Sequence, residues 1–340
     1  MRKLLNTLYV TTPDAYLTKD GMNIVMSVRQ EEKFRIPVIN VEQIVTFGYM
    51  GVSPGLMKLC ADNGVHLTFL SPHGRYIGSF QGTVHGNVLL RKRQYELSDR
   101  PDVALHLSRL FIAGKVKNYR TTLQRALRDN GPDADIEAMV KLLGERIKQV
   151  QHAESVESVR GLEGDAANAY FSVFNRLILH QRDTFRFVCR SRRPPKDAVN
   201  AMLSFVYTLI ANDTAAALET VGLDPYVGFL HTLRPGRRSL ALDVMEEFRA
   251  YMGDRLVLSL INRGQIQQND FIIQADESVT LTNGGRKTLL TAWQTRKKEQ
   301  IKHQYLEEKI PIGLIPYVQS QLLARMIRGD IDDYPVFIIK

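Results

Sequence analysis

The spacing of apolar residues changes near residue 90, and that change divides what the chain can fold into. Before it, short runs rich in Val, Ile, Thr and Tyr recur at Thr7 to Thr12, Ala15 to Lys19, Asn23 to Arg29, Arg35 to Asn40, Val41 to Phe47 and His66 to Leu70. Each is broken by turn residues, and together they predict β-strands. Asp20-Gly21 marks a hairpin, because glycine at the second central position of a type I′ turn tolerates the positive φ required there. Pro72-His73-Gly74 marks another. One helix is expected from Ser53 to Asn63: Ser53 caps it, Pro54 opens it, Leu56, Met57 and Cys60 form its apolar stripe, and Gly64 closes it.

From about Gln94 the period is helical, over Val103 to Asp129, Ile136 to Gln151, Asp165 to Gln181, Asp197 to Val221, Ser239 to Asn262, Gly284 to Gln304 and Tyr317 to Arg328. Gly131-Pro132, Pro194-Pro195, Pro235-Gly236 and Pro311 break the run. The expected class is α+β: a small β-rich domain over residues 1–93, then a larger all-helical domain over residues 94–340. The junction is not rich in Gly or Ser, so it should be packed rather than loose.

With 340 residues the chain can bury two cores. A net charge of +9 and a pI near 9.5 favour a polyanionic partner, since clustered Lys and Arg release counterions when they meet phosphates. Cys60 and Cys189 have no second Cys or His at chelating spacing, which argues against a zinc site, a disulfide framework or thiol catalysis. Met1-Arg2-Lys3-Leu4-Leu5-Asn6 lacks the apolar run of a secretory leader, and no uncharged stretch reaches membrane-spanning length. A cytoplasmic protein without a membrane partner is expected. Gly284-Gly285-Arg286-Lys287 lacks the Walker spacing, so no nucleotide cofactor is expected.

The chemistry concentrates in Ser239-Leu240-Ala241-Leu242-Asp243-Val244-Met245-Glu246-Glu247-Phe248-Arg249. At 100° per residue, Val244, Met245, Phe248 and Met252 share one side of a helix, and Asp243, Glu246 and Glu247 share the other. Three such carboxylates repel one another, so they form either a water-screened acidic face or a divalent-cation site. His231 ends an apolar stretch just upstream, where the loop formers Pro235-Gly236 would let it fold back. Imidazole nitrogen with carboxylate oxygens suits Mg²⁺ or Mn²⁺. Glu163, in Arg160-Gly161-Leu162-Glu163-Gly164, precedes the helix expected from Asp165 and by spacing alone is an ordinary acid near a helix N-terminus.

These two motifs resemble, in order and separation, the metal site of the CRISPR-associated integrase of the adaptation machinery, the "Cas one" family. The resemblance runs through most of the chain. It implies that Glu163, His231 and Glu246 are the catalytic metal ligands for Mg²⁺ or Mn²⁺, with Asp243 supporting them. Glu247, beside Glu246, stays open as the alternative ligand. Arg193-Pro194-Pro195-Lys196-Asp197-Ala198-Val199-Asn200 resembles the family's helix beside the metal, so Asp197 and Asn200 are either hydrogen-bond partners of the ligands or simple helix caps. Lys309-Ile310-Pro311-Ile312-Gly313-Leu314-Ile315-Pro316-Tyr317, with Tyr334-Pro335, resembles the type I-C branch.

The resemblance further implies an endonuclease and integrase that inserts short DNA fragments into a CRISPR array by 3′-OH attack on a phosphodiester. It implies a homodimer assembled through the β-rich domain, a small "Cas two" companion and, as a further partner, a "Cas four" nuclease. A stand-alone metal-dependent nuclease and a non-enzymatic DNA-binding scaffold are the alternatives. Arg190, Arg192, Arg193 and Lys196, with Arg234, Arg237 and Arg238, are expected to contact double-stranded DNA through its phosphates. Lys115, Lys117, Arg120, Arg125 and Arg128 form a further basic cluster. Arg296-Lys297-Lys298, diluted by Glu299, Glu307 and Glu308, reads as a solvated surface.

Overall fold

A computed structural model describes residues 7–41, 43–48, 50–71, 76–80, 82 and 88–339. The N-terminal run Met1 to Asn6 and the expected turn at Pro72-His73-Gly74 lie outside them. The N-terminal part holds strands β1 (Thr7–Val10), β2 (Ala15–Asp20), β3 (Asn23–Val28), β4 (Glu31–Pro37), β5 (Gln43–Phe47) and β6 (Gly51–Val52), helix α1 (Pro54–Asn63), and strands β7 (His66–Leu70) and β8 (Tyr76–Phe80). They form two four-stranded sheets, ordered β1-β5-β7-β8 and β4-β3-β2-β6. Between the sheets and α1, Leu17, Ile24, Ile44, Leu56, Cys60 and Leu67 are buried in one core. Ser53 caps α1 by accepting from the Leu56 amide, and Gly64 ends it in the left-handed region.

The hairpins differ in detail from expectation. Asp20 is the last paired residue, so Gly21, with φ +55°, is the first central residue of its turn and not the second. That placement belongs to the type II′ pattern. The turn between β3 and β4 puts both Arg29 and Gln30 at positive φ. No glycine announces it, which hides the start of β4 at Glu31.

The remainder contains α2 (Val88–Ser98), α3 (Pro101–Asn130), α4 (Ala134–Gln151), α5 (Val156–Ser172), α6 (Ala198–Val221), α7 (Ser239–Met245), α8 (Arg255–Asn262), α9 (Asn283–Lys298) and α10 (Ile315–Arg328). It is not all-helical: β9 (Phe271–Ile273) pairs with β10 (Val279–Leu281), and β11 (Gln300–Lys302) with β12 (Lys309–Pro311). The thirty-residue α3, about 45 Å long, packs on α4 and α5, and α6 packs on α7 and α10. Helix α6 has the length and apolarity to cross a membrane, but most of that stretch is buried inside the protein as a core helix.

The β-rich part is fastened to the helices. Val45, Phe47 and Leu70 belong to the helical core. Trp293 Nε1 donates to Tyr9 Oη at 3.1 Å, and Lys297 Nζ reaches Asp213 Oδ2 at 2.8 Å and Thr7 Oγ1 at 3.4 Å. Lys297 is thus buried, which corrects the reading of Arg296-Lys297-Lys298 as a solvated run. Helix α2 crosses the expected junction, and Gln94 bonds the carbonyls of Asp224 and Val227.

Two corrections shape the site. Helix α5 begins at Val156, capped by Ser155, so Glu163 lies within a helix and not ahead of one. Gly161 and Gly164 mask this, although a Cβ at either would meet only open space. The run from Ser239 to Asn262 is not one regular helix: α7 stops at Met245, a turn covers Glu246 to Phe248, and Arg249–Asp254 is π-helical before α8 begins. A π-turn changes the number of residues per turn, so faces assigned at 100° do not hold across it.

Candidate functional site

Burial settles the character of the acidic helix. Asp243, Glu246 and Glu247 are all buried, which excludes the water-screened face. Each carboxylate must therefore be compensated, because a buried unpaired charge is costly. The three are compensated in three different ways.

Asp243 is compensated by backbone and imidazole. Its Oδ2 accepts from the amides of Phe229 (2.6 Å) and Leu230 (3.0 Å), and its Oδ1 from the amide (3.0 Å) and Nδ1 (2.6 Å) of His231. A carboxylate only accepts, so Nδ1 donates its hydrogen to Asp243, and Nε2 is the nitrogen that carries the lone pair when the ring is neutral. The loop folds back onto α7 because residue 228 is glycine: a Cβ there would lie 2.5 Å from Asp243 Oδ2 and 2.8 Å from the Leu240 amide.

Glu246 is compensated by cations. Lys115, in the middle of α3, places Nζ 2.7 Å from Glu246 Oε2 and also bonds Glu163 Oε1. Arg249 Nη2 lies 2.8 Å from Glu246 Oε1. Burial would raise the Glu246 pKa, but the charges of Arg249, Lys115 and His231 outweigh it and hold the carboxyl down at about 2. Among the described residues its Oε2 meets no donor besides the Lys115 ammonium. Glu163, with 26% of its side chain exposed, and His231, with 19%, form the open side.

Glu247 points elsewhere. It accepts from Tyr334 Oη (2.7 Å), Gln319 Nε2 (3.1 Å) and the Phe337 amide. Burial pushes its carboxyl up to about 8. Asn118 donates to the carbonyls of Glu247 and Phe337, so the C-terminal segment and α3 clamp the turn that carries Glu246. The expectation that Asp243, Glu246 and Glu247 share one face is thereby corrected.

No three His, Cys, Asp or Glu side chains among the described residues stand close enough together to hold a metal, because the Lys115 ammonium lies between Glu163 and Glu246. The donor set does fit a hard divalent ion. It offers two carboxylates from different elements, each facing the lysine ammonium, and an imidazole whose orientation a carboxylate fixes. In the sequence Lys115 is one of a basic cluster, and only the fold turns it inward.

The other expected residues divide. Asp197 caps α6 by accepting from the amide and Nδ2 of Asn200. Asn200 in turn bonds Cys189 O, the Ser191 amide and Arg190 Nη1. None of these bonds goes to Glu163, His231 or Glu246, so the capping alternative describes them. Arg190 turns inward to Asn200 Oδ1 and Ser204 Oγ, over the ring of Tyr207. Arg238 bonds Asn212 Oδ1 at 2.7 Å, and Lys196 is held by Glu277 at 3.3 Å. Arg192, Arg193 and Arg234 are exposed and form no ion pair among the described residues. The pKa of Arg237 is pushed down by burial, and by the positive charges of Arg234, Arg160 and Arg193. Arg160, a turn before Glu163 on α5, adjoins the basic surface beside His231, bonded to Thr232 Oγ1 and held by Glu157 at 2.6 Å.

A buried aromatic floor supports the site. Tyr119 and Tyr170 stack at 3.9 Å, Arg249 lies over Tyr207, and Tyr207 Oη donates to Asp254 Oδ1 at 2.6 Å. Burial raises the Asp254 pKa to about 6. The folded state therefore holds a proton that the unfolded chain releases between about pH 4 and pH 6. Stability falls as pH rises through that window. Asp254→Asn is expected to make this slope shallower in melting temperatures taken across the same window, the part due to Glu247 remaining; a slope as steep as in the wild type refutes the assignment.

The glycines give a second test. Gly228→Ala is expected to cost roughly 1–3 kcal/mol by forcing Asp243 off the loop. Gly161→Ala, in open space on α5, should be neutral or stabilising. Denaturant midpoints that rank the two variants the other way would overturn this packing.

Known proteins resemble this chain in sequence and in fold. The family model described as "CRISPR associated protein Cas1" matches residues 8–295. "CRISPR-associated endonuclease Cas1 1" of Chlorobaculum tepidum is 52% identical over 341 residues, covering 99% of both chains. A "Cas4/endonuclease Cas1 fusion" of Geobacter sulfurreducens is 36% identical, over 98% of this chain and 60% of the fusion. Among solved structures, a casposase bound to its integration product superposes with a TM-score of 0.84 at 21% identity, covering 96% of this chain and 92% of that one. A Cas6-RT-Cas1–Cas2 complex gives 0.83 at 22%, covering 99% of this chain and 36% of that one. These two share the fold.

Proposed function

The chain belongs to the Cas1 family of CRISPR-associated proteins, and from that premise we propose that it is a metal-dependent DNA endonuclease and integrase. It joins the 3′-OH end of a short DNA fragment to a phosphodiester at the repeat of a CRISPR array. The observation that carries this reading is the pair Glu163 and Glu246, drawn from separate elements to one buried cation beside an imidazole that Asp243 orients. Glu163, Glu246 and His231 through Nε2 would hold one Mg²⁺ or Mn²⁺. Bound there, the ion would stabilise charge on the phosphate and lower the pKa of the attacking hydroxyl.

The residues of the chain set the rest. Asp243 holds the imidazole in the tautomer that leaves Nε2 free. Arg249 and Lys115 keep Glu246 ionised despite burial. Arg160, Arg193, Arg234 and Arg237 lie where a phosphate backbone would pass, fixing position without reading bases. One phosphodiester is exchanged for another, so no nucleotide is consumed. With water as nucleophile the same residues cut DNA. A solved complex named for Cas1 and Cas2, and the Cas4/Cas1 fusion, support a small Cas2 companion and a Cas4 nuclease as partners. The exposed Tyr16, Met22 and Ile39 of the β-rich part support its use as the homodimer and assembly face. The resemblance to the type I-C branch and a cytoplasmic location belong to the same reading.

Removing Glu246 outright would strand Lys115 and Arg249, at roughly 3–5 kcal/mol. Glu246→Gln is therefore the better probe than Glu246→Ala. Glu246→Gln, Glu163→Gln and His231→Ala are expected to abolish Mn²⁺-dependent strand transfer into supercoiled repeat DNA, while Glu247→Gln retains it. Joining by His231→Ala, or loss confined to Glu247→Gln, would sink the assignment. Nicks without joined fragments in the wild type would favour a plain nuclease.

The combined change Arg193→Gln, Arg234→Gln and Arg237→Gln is expected to weaken binding of all duplex sequences alike. It should flatten the salt dependence by roughly 0.9 for each phosphate that is no longer neutralised. An unchanged slope in a salt titration would remove DNA from the surface beside His231.

A further inference from the structure

A second cationic groove lies away from His231, between α8 and α9, with a volume of about 640 Å³. Arg255 and Ser259 on α8, and Arg263 capping its C-terminal end, recur every four residues and line the same groove. Across from them α9 presents Lys287, Thr291 and Arg296. One carboxylate lines the groove, Glu299, and Arg296 already holds it at 2.7 Å. The side chains of Arg263 and Lys287 are exposed and meet no carboxylate among the described residues, and Arg255 lies over the ring of Tyr251, 4.8 Å away.

Arg296 lies over that same ring, also at 4.8 Å, and donates to the Tyr251 carbonyl. Burial and the charges of Arg296 and Arg125 push the Arg255 pKa down to about 10. Lys33 and Lys58, by contrast, each stand beside an acid, Glu31 and Asp62. Here like charges are held together with hydroxyls between them, which costs folding energy and finds little internal compensation. That arrangement suits an external chain of anions. From Arg255 to Arg263 the chain rises about 12 Å, the length of roughly three or four base-pair steps of duplex axis at about 3.4 Å each.

We propose that the α8–α9 groove seats the phosphate backbone of duplex DNA, as a contact separate from the basic surface beside His231. The proposal rests on the DNA-joining function, which requires the chain to hold two DNAs, a fragment and a target. It adds a second place for one of them.

The test uses the full chain and a fluorescent duplex of arbitrary sequence. Arg263→Gln with Lys287→Gln removes two exposed charges without touching Glu163, His231 or Glu246. The salt slope is expected to fall by about 1.8, so that between about 50 and 200 mM salt the variant loses roughly tenfold less affinity than the wild type. Lys33→Gln with Lys58→Gln removes the same charge from cations that acids already hold, and should leave the slope as in the wild type. An unchanged slope in the groove variant, or an equal fall in the control, overturns the groove while DNA binding itself stands on the wild type. A wild type that binds no duplex overturns both.

Discussion

A buried carboxylate at residue 246 is the demand that the surrounding structure answers. Ionised in a dry interior it would cost several kcal/mol, and the chain meets that cost with Lys115 from α3 and with Arg249, three residues further on. Lys115 is itself buried, and one carboxylate does not complete its surroundings, so Glu163 is brought from α5 to its other side. Three elements far apart in sequence are fixed relative to one another by this alternation of charge. Replacing it with apolar side chains of similar volume could be neutral for stability, so its presence is better explained by chemistry than by folding.

The π-helical turn at Arg249–Asp254 belongs to the same solution. Just ahead of it Glu246 faces α3 and α5, while Glu247, one residue on, faces Gln319 and Tyr334. Neighbouring acids thereby acquire opposite characters, one held ionised near 2 by cations and the other raised to about 8 by burial. Asn118 then ties the Glu247 carbonyl to the C-terminal segment, so a tail 90 residues downstream of Glu247 helps set the position of Glu246.

The fold class was legible because strand and helix periods are both strong here, and because Ser53, Pro54 and Gly64 are unambiguous helix signals. Glu163, His231, Asp243 and Glu246 stood out only as a motif with a family resemblance. Their roles did not follow from helical geometry, since the period changes just beyond the turn that carries Glu246. Arg29-Gln30 hid a hairpin for want of glycine, and Gly161 and Gly164 hid the first half of α5. Lys115 could not be found at all: a lysine on a long basic helix reads as surface until the partner that buries it is known.

Charge was the least legible property, because a formal total does not say which cations are free. Lys297 counts toward the net charge of +9 yet is sealed against Asp213. Lys196 is held by Glu277, Arg190 by Asn200 and Ser204, and Arg238 by Asn212. Such cations have already exchanged water for a partner inside the protein, and a phosphate would have to displace that partner to gain from them. Arg193, Arg234, Arg263 and Lys287 are exposed and have made no such exchange among the described residues, so the counterions around them are still there to be released. A polyanion is therefore drawn less by the total charge than by side chains that folding left unpaired, and those beside His231 and between α8 and α9 are clustered enough to act together.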